Sequence, residues 1–397
     1  MNRLRHLIPA FCLLVLDLSA TRADDPSDLD DREDERGRVL IQWPSAEFRS
    51  LQSAIDAAPD NAVIKIAEGT YEIASPLVVR GKRLLIVGAG SGRKRDERVT
   101  RLVGPPPNPV VDERGNLVLR AEAVVGLWNL VAADVQIKHM QLRGFDAGIV
   151  SKPDSERSSG PTAVKDVTIT DTGRGILSLS SADLTVQHCT IQRTRWNAIS
   201  FGPKFVDFHF VPNLTTKAVT LIDPQHAGIY FENTIAFIDD ANVLGAQAGG
   251  IVGLTSASFI QKSNLVGNRE GGILLVGGFT EIEDNVVLGT MAGEGGLLGD
   301  GISLWASGIN QQSLQASLFD NLIQSSERAG ISVFGAWVDL ADNNIFCASF
   351  DVFRVPYGGF IDIVNDLGGN VCGCGTAEIC AATGDGPSVP EPVGGLE

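Results

Sequence analysis

Asn264-Leu265-Val266, Asn285-Val286-Val287 and Asn321-Leu322-Ile323 belong to a stretch, Asp239 to Cys347, that repeats itself. The same Asn-apolar-apolar motif occurs as Asn242-Val243-Leu244 and Asn344-Ile345-Phe346, with Asn spacings of 22, 21, 36 and 23. A second motif interleaves with it, a Gly before an alternating apolar run: Gly228-Ile229-Tyr230-Phe231, Gly250-Ile251, Gly272-Ile273-Leu274-Leu275, Gly301-Ile302-Ser303-Leu304 and Gly330-Ile331-Ser332-Val333. These Gly residues lie 22, 22, 29 and 29 apart. Self-similarity at such a period defines a solenoid. The runs are too short for helices and several alternate with period two, so each repeat is a coil of short strands. A leucine-rich repeat does not fit. Its Leu spacing is absent and nothing helical separates the strands.

One coil cannot bury its inward face alone, so neighbours must stack. Equivalent residues then lie about 4.8 Å apart. Ile229, Ile251, Ile273, Ile302 and Ile331 are expected to form an aliphatic column, continued upstream by Gly148-Ile149, Gly175-Ile176 and Ala198-Ile199. The Asn residues are expected to stack at one corner, with Asn264, Asn285 and Asn321 passing side-chain hydrogen bonds from coil to coil. The Gly before each Ile is expected to turn a second corner.

Upstream, residues 1–23 read as a secretory signal: a basic start at Arg3 and Arg5, an apolar run from Leu7 to Leu18, and Thr21-Arg22-Ala23 as cleavage site. Residues 24–41 read as an acidic, solvated linker. Ser50 to Ala58 shows a helical apolar face of Leu51, Ala54, Ile55 and Ala58, stopped by Pro59. It is placed to cover the open end of the solenoid, whose strand edges invite aggregation. Val63–Ala67, Leu77–Val79 and Leu84–Val87 read as first strands, and Gly69-Thr70-Tyr71 as a turn. Gly88-Ala89-Gly90-Ser91-Gly92 lacks the Lys-Ser/Thr and helix of a phosphate loop and reads as a turn. Solenoid coils continue to about residue 375, and residues 376–397 form a tail. Cys347, Cys372, Cys374 and Cys380 cluster there; in an exported protein they read as two disulfides, with a zinc site as the alternative. Cys189 reads as a buried thiol.

With this N-terminal order, the repeats resemble the right-handed parallel β-helix family with the pectin-lyase-like fold. The expected fold class is all-β, a right-handed parallel β-helix solenoid with a short N-terminal capping helix. That fold hosts lyases, hydrolases, esterases, epimerases and adhesins, so the resemblance implies no single activity. The pectate-lyase pattern Arg-x-Pro-x-x-Arg is half met by Arg354-Val355-Pro356, with Gly359 at its second Arg. Asp223-Pro224-Gln225-His226 is similar to the Asp-Pro-His-Asp of alginate epimerases but lacks the second Asp. No catalytic residue carries over.

Insertions should mark the binding face. Ser151–Lys165, Gly202–Lys217 and Ala306–Ser313 lengthen the chain just after the Gly-Ile strand, and Gly289–Gly299 does so at the Asn corner. The outward side of the Gly-Ile strand is therefore the expected groove. His226, Glu270, Asp300 and Arg328 are the candidate catalytic residues, as acid, base or charge-neutralising groups. Trp196, Tyr230, Glu232 and Trp305 are the candidate substrate-binding residues, by ring stacking and hydroxyl contacts. Each also has a plain reading, His226 as a turn residue, Glu270 and Arg328 as solvated corners. The formal net charge of −16 disfavours nucleic acid and anionic membranes as partners. No membrane insertion is expected, and the location is secreted or periplasmic. No cofactor or metal site is read from the sequence; calcium is the cation that would bridge this acidic chain to an acidic polysaccharide. Two functions stay open: a protein that binds, and cleaves, polysaccharide, and a non-catalytic surface or adhesion protein. A periplasmic accessory role in metalloenzyme assembly is disfavoured by the lack of Met or His clusters.

Overall fold

The computed structural model describes residues 37–383, apart from 93–97, 108–109, 112–116, 119–124, 131–133, 153–159, 203–210, 294–295, 297, 309–311, 375–379 and 381. The secretory signal and most of the acidic linker lie outside the described residues. From Val39 onward the chain is one compact unit. Its strands pair in parallel, each with its equivalent one coil further on, apart from the short antiparallel pair Val110–Val111 and Leu117–Val118. One inward column runs Tyr71, Leu102, Leu142, Ile169, Ile191, Leu221, Val243, Leu265, Val287, Ile323, Ile345 and Cys372 by direct strand register. It marks twelve stacked coils among the described residues.

The expected Ile column is present. Ile149, Ile176, Ile199, Ile229, Ile251, Ile273, Ile302 and Ile331 pair in sequence and end on Val352. All are buried. Burial of such β-branched side chains, each worth about 1.5–3 kcal/mol relative to exposure, is the main force holding coil to coil.

The Asn ladder exists in a different register. Ser263 N donates to Asn285 Oδ1 (2.9 Å), Asn285 N to Asn321 Oδ1 (3.1 Å), Asn321 N to Asn343 Oδ1 (3.2 Å) and Asn343 N to Asn370 Oδ1 (3.0 Å). Asn285 and Asn321 therefore stack as expected, whereas Asn264 does not. Its place is taken by Ser263, and that of Asn344 by Asn343. Asn242, Asn264 and Asn344 sit one residue further on, in the row that pairs with Val286 and Leu322. A one-residue offset moves a side chain to the other face of the strand. The residue before each ladder position turns the corner in the left-handed conformation: Lys262, Asp284, Asp320 and Asp342 have φ of 51°, 56°, 55° and 57°. The ladder side chain then satisfies backbone groups freed by that corner, as Asn321 Nδ2 does for Ile282 O at 2.9 Å.

The Gly of the Gly-Ile motif serves contact, not conformation. None of Gly228, Gly250, Gly272, Gly301 and Gly330 has a positive φ. A Cβ at Gly272 would lie 2.4 Å from Val287 Cγ1 and 2.6 Å from Gly301 O. The expected corner is thus corrected: these positions lie where one coil presses on the next.

The predicted capping helix is present as Leu51–Ala57. Ser50 caps it, with Ser50 Oγ accepting from Ser53 N at 3.1 Å and Ser53 Oγ accepting from Ser50 N at 3.2 Å. Leu51, Ala54 and Ile55 are buried. At the other end Lys82 Nζ donates to the carbonyls of Ile55, Asp56 and Ala58 at 2.9, 2.7 and 2.8 Å. That places a cation where the helix dipole is negative. The first described strand, Leu40–Trp43, begins two residues before the expected start and pairs with Ala62–Ile66. Gly69–Glu72 is a strand paired with Thr100–Val103, not a turn. Its Tyr71 belongs to the inward column and packs on Trp43 at 4.6 Å. At the C-terminal end the disulfides are Cys347–Cys374 and Cys372–Cys380. They bear out two disulfides over zinc. Ala382–Thr383 pairs with Val352 and Phe353, so the solenoid reaches into the expected tail. Cys189 is buried and belongs to neither disulfide.

Candidate functional site

The residue after each Ile of the Gly-Ile strand points away from the lumen. In chain order this outward row reads Leu177, Ser200, Tyr230, Val252, Leu274, Ser303, Ser332 and Phe353. A second apolar cluster forms on this face from Ala227, Tyr230, Val252, Leu274, Leu298, Trp305, Ala329, Phe334 and Phe353. The expected groove is therefore closed by apolar packing over much of its length. Two polar constellations interrupt it, separated along the solenoid by about 14 Å, three steps of about 4.8 Å.

The first spans three successive coils. Arg174, Asn197 and Ala227 each stand two residues before the column Ile, at Ile176, Ile199 and Ile229. Trp196 and His226 stand one residue earlier still, and their rings stack at 4.2 Å with an interplanar angle of 12°. The guanidinium of Arg174 lies 6.0 Å from the centre of the Trp196 ring, within the range of a cation–π contact. His226 Nδ1 lies 2.7 Å from Asn197 Oδ1. That oxygen also accepts from Ala227 N at 3.0 Å, and Asn197 Nδ2 donates to Ser200 Oγ at 3.0 Å. An oxygen already fixed as acceptor requires Nδ1 to carry the proton, so Nε2 is the ring's lone-pair nitrogen. One coil on from Ser200, Tyr230 Oη donates to Glu232 Oε2 at 2.9 Å. Asn233 Nδ2 donates to Glu232 Oε1 at 3.3 Å, and Thr255 Oγ1 donates to Asn233 Oδ1 at 2.6 Å.

Electrostatics follow from burial. Removal from water, with Arg174 close by, holds the His226 pKa down at about 4, so the ring is neutral near pH 7. Burial lowers the Arg174 pKa to about 10, which leaves it cationic at neutral pH but poorly solvated. Tyr230 is pushed well above its ordinary value by burial and by the Glu232 carboxylate, so it stays a hydrogen-bond donor. Trp196, Arg174, His226 and Glu232 each keep part of their surface in solvent. The constellation thus offers a neutral aromatic shelf, one cation and a fixed carboxylate.

The second constellation is an ion pair. Asp300, fully buried, accepts from Arg328 through both oxygens, with Nε–Oδ1 at 2.7 Å. Arg328 also donates to Ser332 Oγ at 3.3 Å and lies over the rings of Phe334 (5.4 Å) and Phe353 (5.6 Å). Both charges are used by each other, inside the apolar cluster.

Of the eight sequence candidates, Trp196, His226, Tyr230 and Glu232 come together, and Asp300 pairs with Arg328. Glu270 stands at the left-handed φ of 62°, and its carbonyl accepts from Gly299 N and Asp300 N at 2.8 and 3.2 Å. It thus adjoins Asp300 through backbone, two coils from His226. Trp305 is 1% exposed, stacked on Phe334 at 3.7 Å, with Tyr357 edge-on at 5.1 Å and its Nε1 donating to Ser303 Oγ at 2.8 Å. It offers no ring face to a ligand. Arg174, Asn197 and Ser200 were missed. Their signal was their fixed offset from Ile176 and Ile199 in the repeat. The centres of the three insertions after the strand lie outside the described residues. Among the described residues no group of three or more His, Cys, Asp or Glu side chains is arranged to hold a metal ion. No helix among them is long and apolar enough to cross a membrane.

No protein-family model matches the chain, and comparison with curated proteins finds no match. Among solved structures, the chain is similar to a family 136 lacto-N-biosidase from Eubacterium ramulus, with a TM-score of 0.57 and 8% identity over 86% of this chain and 69% of that one. It is also similar to the tailspike of an Acinetobacter phage, with a TM-score of 0.51 and 9% identity over 89% of this chain and 66% of that one. At these identities the likeness is one of fold. The chain is a right-handed parallel β-helix.

Proposed function

We propose that this protein is exported and binds polysaccharide at the outward face of the coils that carry Arg174, Trp196 and His226. The observation that carries this reading is the partly solvent-facing Trp196–His226 shelf, flanked by fixed hydrogen-bonding groups on the coil of His226. Rings stack on sugar faces, and Nε2 of His226 and the oxygens of Glu232 accept from hydroxyls. The lacto-N-biosidase and the tailspike are β-helices of the same kind, and the first is named for action on a glycan. Two disulfides suit an oxidising compartment.

Binding without turnover is the form the chemistry favours. A base works best with a pKa near the operating pH. His226, at about 4, is deprotonated but weak. Asp300 and Arg328 neutralise each other. The test is a polysaccharide panel screened by glycan array and calorimetry, with and without calcium, while reducing ends and unsaturated products are followed. Trp196→Ala should weaken binding by about fivefold or more, since loss of an aromatic contact costs about 1–3 kcal/mol. Binding that is unaltered in Trp196→Ala places the site elsewhere. Product formation by the unaltered chain replaces the binding reading with an enzymatic one.

A further inference from the structure

A different sheet of the solenoid, the one that leads into the Asn corner, carries an outward row whose charge changes sign halfway along. By strand register the row reads Lys165, Gln187, Lys217, Asp239, Gln261 and Glu283 on six successive coils. Two residues earlier in each strand, a second outward row brings Thr185, Thr215, Phe237 and Phe259 together and ends on Glu281. Phe237 is 43% exposed, and its ring stacks on Phe259 at 5.2 Å with an interplanar angle of 7°. Lys165, Glu281 and Glu283 make no ion pair among the described residues. Glu281 and Glu283 share one face of one strand, and burial together with the second carboxylate raises the Glu281 pKa. A cation arriving from outside the chain would relieve that repulsion.

We infer that this face joins two copies of the chain as an antiparallel two-fold dimer. The row is complementary to itself. A two-fold axis along the strand direction, between the coils of Lys217 and Asp239, keeps each row over the same row and reverses the order of coils. Lys217 then faces Asp239 of the second copy, Gln187 faces Gln261, and Lys165 faces Glu283 with Glu281 beside it. Symmetry makes each pair occur twice. The two Phe237 rings come one coil step apart, so the stacked pairs of both copies form a row of four rings over Thr215 and Thr185. Moving the axis half a coil either way sets Lys217 or Asp239 against its own copy, a like-charge contact. A two-fold along the solenoid sets each coil against the same coil and makes none of these pairs. The size is adequate. Eight coils at about 4.8 Å, and a width of five residues at about 3.3 Å, give roughly 650 Å² of face per copy. The total of roughly 1,300 Å² falls in the class of specific interfaces. The net charge of −16 on each copy opposes association, but salt screens it beyond about 8 Å, so the facing pairs decide.

The test uses the full chain in sedimentation velocity and light scattering across micromolar concentrations, where a species of twice the monomer mass is expected. Carbodiimide should join Lys165 to Glu283 or Glu281 within that species. In one chain these residues are five coils, roughly 24 Å, apart at about 4.8 Å per coil, so a zero-length link between them forms only between copies. Lys165→Glu and Glu283→Lys should each raise the dissociation constant about tenfold or more, because symmetry sets each reversed charge against a like one twice. Lys165→Glu/Glu283→Lys together should restore most of the affinity, which a merely structural role for either residue would not. Phe237→Ser should weaken the dimer by about tenfold as well. A monomer at every concentration overturns the inference. A dimer indifferent to all three single variants overturns this face as the interface. Loss in the single variants without recovery in the double one overturns the antiparallel register. A mass that keeps growing with concentration reports a head-to-tail contact and overturns the two-fold. Should a variant unfold, as circular dichroism would show, the cross-link in the unaltered chain decides, and its absence from the dimer rejects the pairing.

Discussion

His226 ties the site to the stability of the coils around it, and the size of that link follows from its surroundings. In the unfolded chain an imidazole titrates near 6.5; in the fold, burial and the nearby Arg174 hold it at about 4. The unfolded state therefore binds more protons between these values, and stability rises with pH across that window. Above pH 6.5 the His226 contribution is complete; it is lost progressively as pH falls toward 4 and is constant below. At about 1.4 kcal/mol per pH unit, the loss is about 3 kcal/mol. Carboxylates also titrate here, so a control is needed. His226→Asn keeps an amide N–H to donate to Asn197 Oδ1 and removes the titrating group. Urea midpoints of both proteins, measured from pH 7.5 to pH 4, should diverge as pH falls, the wild type losing about 3 kcal/mol more. Histidine NMR of the native state should show the His226 ring still neutral at pH 5, a signal absent in the variant. Parallel stability curves, or a His226 ring that titrates near 6.5, would refute the argument that the shelf is desolvated.

The remaining predictions concern the frame. Gly272→Ala should destabilise by about 1–3 kcal/mol, because its Cβ meets Gly301 O and Val287 and the coils cannot spread locally; an unchanged denaturation midpoint would contradict this. Asn321→Ala leaves Asn285 N–H and Ile282 C=O without their ladder partner and should cost about 3 kcal/mol by the same measurement, whereas Asn264→Ala, outside the ladder, should cost under about 0.5. Arg328→Met strands the buried Asp300 carboxylate and should cost about 3–5 kcal/mol, most of it recovered in Arg328→Met/Asp300→Leu; equal losses in single and double variants would deny that the pair is self-compensating. Alkylation of the native protein without reduction should leave Cys347, Cys372, Cys374 and Cys380 unmodified by mass, and Cys189 should react only after unfolding.

Much of the frame was legible because a solenoid writes its contacts into its period. Each Ile of the Gly-Ile motif touches the Ile of the next coil, so the sequence spacing and the spatial column are one fact. The Asn register was misread for a related reason. The spacings of 21 and 23 around Asn264 and Asn344 were one residue away from the 22 that separates Ser263 from Asn285 and Asn321 from Asn343. In a period-two strand that single residue exchanges inside for outside. The Gly role was misread because sequence shows the absence of a Cβ and not whether conformation or contact demands it.

The site was less legible because outward side chains are free of the stacking constraint. The same row holds Ser200, Tyr230, Val252 and Leu274 on successive coils, so no period announces which of them face a ligand. Chemistry arises only where neighbours in three coils agree. Arg174, Trp196 with Asn197, and His226 agree because each sits at a fixed offset before its column Ile, one coil above the last. Had candidate residues been ranked by offset within the repeat instead of by charge and type, Arg174 would have stood in line with Asn197 and Asp300, one residue after the row of Trp196, His226 and Glu270. The order of coils, more than the choice of residue types, turns an aromatic pair and an arginine into a shelf.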